Sequence, residues 1–178
     1  MKKFGVGLVL LGVSLMGKAQ ETSNESLGKS IDKLTYRWDT EAEKLSSYDG
    51  LITFCDDESY RFEVIELLND IHHFDSVLYQ RLVKAQRFNH DKEIEKTLED
   101  IKEFEGHYAM KDLIHFLHQE CIEKGKIEKN AKELKNDIGE NSYDGQIYLI
   151  EVELNKYIKH ITKKVDIIRK HVHHLHIE

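Results

Sequence analysis

The sequence predicts an all-α protein, an up-and-down bundle of four long antiparallel helices, and three observations predict it. No proline occurs in the 178 residues, so nothing but a few glycines interrupts a helix. Apolar residues recur at spacings of three and four through a chain that is otherwise rich in Glu and Lys. The last of these repeats, Ile150, Leu154, Ile158, Ile161, Val165, Ile168, Val172 and Leu175, is strict enough to read as one long bundle helix.

The first predicted helix runs from about Asn24 to Ser47. Leu27, Ile31, Leu34, Trp38 and Leu45 form its seam, with Glu41/Ala42 at the missing step. Residues 47–55, SYDGLITFC, break the pattern at Asp49-Gly50 and read as a tight, partly buried connection. The second helix starts at Asp56 or Asp57, an N-cap residue with Glu58 in the first turn, and continues to about Phe88. Val64, Leu67, Leu68, Ile71, Phe74, Leu78, Leu82 and Ala85 give it a wide apolar face. FNHD, residues 88–91, reads as a turn that supplies the next N-cap.

The third helix is the least regular. Ile94, Leu98, Ile101, Phe104 and Tyr108 share one face, whereas Met110, Leu113, Ile114, Leu117 and Cys121 share another. The stripe changes side near Gly106, and Gly125 is a second weak point, so this helix is expected to kink or break there. Beyond Gly125, Ile127, Ala131, Leu134 and Ile138 resume a heptad. The fourth helix runs from about Tyr143 to the end, which carries the histidine-rich stretch HVHHLHIE. The tetrapeptide SYDG occurs at 47–50 and at 142–145. A shift of the chain by 95 places Leu34 and Trp38 on Lys129 and Glu133, so the repeat reads as shared cap chemistry rather than a duplication.

The first nineteen residues have the pattern of a cleaved signal peptide. Lys2 and Lys3 precede an apolar stretch from Phe4 to Met16, and Gly17-Lys18-Ala19 has small residues where a signal peptidase reads them. That stretch is short for a bilayer span. The expected organisation is therefore a signal peptide over 1–19 and a single helical domain over 20–178, periplasmic or secreted. Removing residues 1–19 takes the formal charge from −7 to −10, because Lys2, Lys3 and Lys18 leave with no acid. Such a surface argues against nucleic acid and against an anionic membrane as partners.

An exported chain with two cysteines favours a disulfide. A second helix descending from residue 57 and a third returning from residue 91 cover the same height at about 1.5 Å per residue, which puts Cys121 level with Cys55. A bridged Cys121 cannot act as a thiolate, and this weakens HFLHQEC, residues 115–121, as a metal motif.

Eleven histidines invite a metal reading. No histidine has Glu three residues before it, as di-iron bundles require, and there is no His-Glu-x-x-His. Asp70-x-x-His73 and Asp112-x-x-His115 are the nearest relatives of such motifs. Matching heights between the third and fourth helices gathers His72, His107, His173 and His176, with Asp75 and Glu103 close by. That set would suit zinc, copper or nickel. The competing reading is a solvated His73, a half-buried His72 bonded to Asp75 or Ser76, and a tail that is only a helix end. Titration of so many imidazoles also makes the bundle sensitive to pH near 6.

No nucleophile–base pair, converging carboxylate pair or phosphate-binding glycine loop stands out. The expectation is a non-enzymatic helical interaction or scaffold module without a cofactor, acting on another protein or by self-association through its helices. A histidine-rich bundle binding zinc or copper is the alternative.

Overall fold

The computed structural model describes residues 26–103, 110–123 and 138–175, and among them there is helix and turn but no strand. The elements are α1 (Leu27–Leu45), α2 (Tyr48–Asp56), α3 (Glu58–Asn89), α4 (Lys92–Glu103), α5 (helical over 110–123) and α6 (Tyr143–His174). Residues 1–19, read as a signal peptide, and Gly106 and Gly125 lie outside the described residues. The change of stripe expected near Gly106 in the third helix falls between α4 and α5, outside the described residues.

α2, α3, α4 and α6 each begin where a side chain caps them. Asp57 accepts from the amides of Ser59 and Tyr60, and Asp91 accepts from Glu93. α3 ends on His90, whose left-handed backbone (φ 48°) closes the last turn through a bond to the Gln86 carbonyl. The two SYDG segments are capped alike: Ser47 accepts from the Gly50 amide at 3.2 Å, and Ser142 from the Gly145 amide at 3.0 Å. Both glycines are required by contact. A Cβ on Gly50 would strike the Lys44 carbonyl, and one on Gly145 would strike the Gly139 carbonyl. The expected connection at 47–55 is thus corrected to a helix. Ser47 opens α2, and Asp49-Gly50 forms its first turn instead of breaking it.

α1 and α6 form the most extensive contact, and they run in opposite directions. Trp38, fully buried, donates from Nε1 to Thr162 Oγ1 at 2.9 Å. Further up, Asn155 Nδ2 donates to the Ser46 carbonyl at 3.0 Å, and Glu151 accepts the Tyr48 amide at 2.8 Å. Further down, Arg169 meets Asp32 at 2.7 Å. α3 packs on α1, and Arg37 bridges to Asp70 across that pair. α4 packs on α3 and on α6.

Most of the core is the set the apolar spacing predicts, joined by Leu51 and Phe54 of α2. Ile31, Trp38, Leu45, Val64, Leu78, Leu113, Leu117, Ile161, Val165 and Ile168 are wholly buried. Burial of such side chains contributes roughly 1.5–3 kcal/mol each. Ile138, placed in the heptad by its spacing, is 98% exposed instead. Cys55 and Cys121 lie 5.2 Å apart at Cα with their sulfurs at bonding distance, 2.05 Å, as the matched heights require. Among the described residues, no helix is long and apolar enough to cross a membrane.

Candidate functional site

The apolar seam of α6 has one polar interruption. Lys164 follows Ile161 by three and precedes Ile168 by four, so helical geometry points it inward. Its side chain is 1% exposed. The ammonium donates to the Ile101 carbonyl at 2.7 Å and lies 3.4 Å from Asp75 Oδ2. Lys164 therefore ties α6 to α4 at Ile101 and to α3 at Asp75. Burial pulls its pKa below the ordinary lysine value, and Asp75 partly offsets this. Burial also raises the Asp75 carboxyl, with Lys164 and then His72 opposing the shift.

The last turns of α6 form a second polar group. His171 Nε2 lies 2.9 Å from Asp100 Oδ2, and Thr97 Oγ1 lies 3.0 Å from His171 Nδ1. A carboxylate accepts only, so Nε2 carries the hydrogen. The Thr97 hydroxyl can then donate to a neutral ring or accept from a protonated one, and both states of His171 are satisfied. His174 approaches Glu93 at 3.7 Å. His173 meets Asp32 on α1 at 3.1 Å, and that bond, ahead of Arg169, holds the Asp32 carboxyl below its ordinary range.

The expected metal ligands are not brought together where the structure describes them. His72 is half-buried on α3, close enough to Asp75 to lower its carboxyl, and His73 is exposed. Asp75 meets α6 at Lys164, whereas His173 lies nine residues further down that helix. The two histidines are thus separated along the bundle by on the order of 15 Å. His107, His176 and the side chain of Glu103 lie outside the described residues. Among the described residues, no three His, Cys, Asp or Glu side chains converge to hold a metal ion.

The height estimate pairs α6 with residues 127 and 134, which lie outside the described residues; where the structure describes it, the lower half of α6 packs on α4, with His174 opposite Glu93. Lys164 itself is missed by apolar spacing, which has no term for an inward lysine. The signal was its phase, three after Ile161 and one before Val165.

A groove of about 650 Å³ runs between α4 and α6 beside Asp100, Lys163 and His171, open to solvent. Lys164 is on the other side of α6, against Ile101 and Asp75. The arrangement can hold helices in register.

The other feature of α6 is at its start. From Tyr143 to Glu153 no side chain is fully buried, and Tyr148 (64%), Leu149 (43%) and Val152 (36%) are exposed. Ile147 and Ile150, on the opposite face, pack against the core. Tyr148, Leu149 and Val152 thus share one exposed face of the helix. Comparison of the chain with family models, with curated proteins and with solved structures finds no match in any of the three.

Proposed function

We propose that the protein is a non-enzymatic interaction module, an up-and-down bundle of four long helices exported from the cytoplasm, that presents the first half of α6 to a protein partner. The observation that carries this reading is the exposed trio Tyr148, Leu149 and Val152 on a helix whose opposite face is anchored in the core. A rigid helix offering apolar side chains one turn apart is a standard means of helix-mediated recognition. Export is supported by the disulfide, which persists in oxidising compartments. The polar groups lower in the bundle then serve to fix helix register.

The test is a photo-reactive residue at position 149 of the full chain in its own type of host, with Lys84, exposed on α3, as the control position. Protein adducts from 149 and none from 84 are expected. Absence of any adduct from 149 would overturn the reading.

A further inference from the structure

The exposed face of α6 has an internal symmetry that selects its partner. Asp144, Tyr148, Val152 and Lys156 follow one another at steps of four, so they stand on one ridge of the helix. All four are exposed. Read in either direction, the ridge has a charge, two apolar side chains and a charge, and the two charges are opposite. The ridge is therefore complementary to itself when reversed.

We propose that this ridge pairs with the same ridge of a second copy of the chain, antiparallel, across a two-fold axis between positions 148 and 152. In that register Tyr148 faces Val152 of the second copy, Asp144 faces its Lys156, and each contact is made twice. Contacts repeated in this way define an isologous interface. Ridges formed by residues four apart align when two helices cross at about 50°, the commonest helix packing in globular proteins. The electrostatics agree. Asp144 stands in the first turn of α6, where a carboxylate complements the helix dipole, and Lys156 reaches outward. Lys156 now meets Glu153 on its own helix at 2.6 Å, and in the pair it sits between Glu153 and the incoming Asp144. Parallel pairing would oppose Asp144 to Asp144 and Lys156 to Lys156, so the charges also fix direction. Leu149 flanks the ridge and widens the apolar centre.

This inference rests on the interaction-module reading and names its partner. The test is sedimentation equilibrium of the full chain, with Asp144→Lys, Lys156→Asp and the double variant. These side chains are exposed, so each variant is expected to fold, and a thermal melt by circular dichroism checks it. The wild type is expected to dimerise. Each single reversal, which creates two like-charge contacts per dimer, is expected to weaken the dimer by about tenfold. The double variant, with opposite charges facing again, is expected to return to within about threefold of wild type. A chain monomeric at every concentration overturns the inference, and so does a double variant no better than the singles. The photo-crosslink from position 149 separates the failures. An adduct with a different protein removes the second copy and keeps the module, and no adduct removes both.

Discussion

α6 is one continuous helix with two different fates. From Leu154 onward, Leu154, Ile158, Ile161, Lys164, Val165, Ile168 and Val172 are buried against the rest of the bundle. From Tyr143 to Glu153 none is, although the apolar content is comparable. The lower half meets α1 and α4 at close register, through Trp38, Asp32, Ile101 and Asp100. The upper half meets the start of α2 through Glu151, and turns Tyr148 outward. Periodicity thus identifies a face, and the partner of that face is a separate matter.

The contrast can be tested by removing what holds each half. Replacing both cysteines by serine is expected to cost about 4 kcal/mol, because the bridge closes a loop with a sequence separation of 66. Chemical denaturation measures the loss. The upper end, poor in buried α6 side chains, should loosen first, and amide exchange would locate it. Ile161→Ala, at a wholly buried site, is expected to cost roughly 2–5 kcal/mol, whereas Leu149→Ala should change monomer stability by less than about 0.5 kcal/mol. Equal costs would contradict the division of α6.

Asp75→Ala leaves the Lys164 ammonium buried without its carboxylate and is expected to cost about 3 kcal/mol. Adding Lys164→Met should recover most of that loss, because a methionine fills the same space without a charge. The smallest effect belongs to the exposed Asp32. Its carboxyl is held low in the folded state, so its stabilisation is present above the unfolded carboxylate value, about 4, and is lost as pH falls through the lower folded value. An NMR titration of His173→Ala should show the Asp32 carboxyl moving up toward its ordinary range, and an unmoved Asp32 would show that His173 is not what lowers it.

The helical class, the seams of α1, α3 and lower α6, the cap at Asp57 and the Cys55–Cys121 pair were legible because each follows from local spacing or from rise per residue. α2 was not legible. Asp49-Gly50 carries the composition of a turn, and the same residues open a helix once Ser47 caps it and Gly50 lies against the Lys44 carbonyl. The heights of histidines on different helices were not legible, because they depend on which segment faces α6. That is a tertiary choice, made here by α4 and reinforced by the inward Lys164. The exposed ridge was visible as residues but not as a surface, since Tyr148 and Val152 fit a core stripe equally well.

Hydrogen exchange of the full chain, followed along α6 over a range of protein concentration, tests the central claim most directly. The account predicts that amides of residues 143–156 gain protection as concentration rises while those of residues 157–174 stay constant. Protection independent of concentration throughout α6, or a change confined to its lower half, would contradict it.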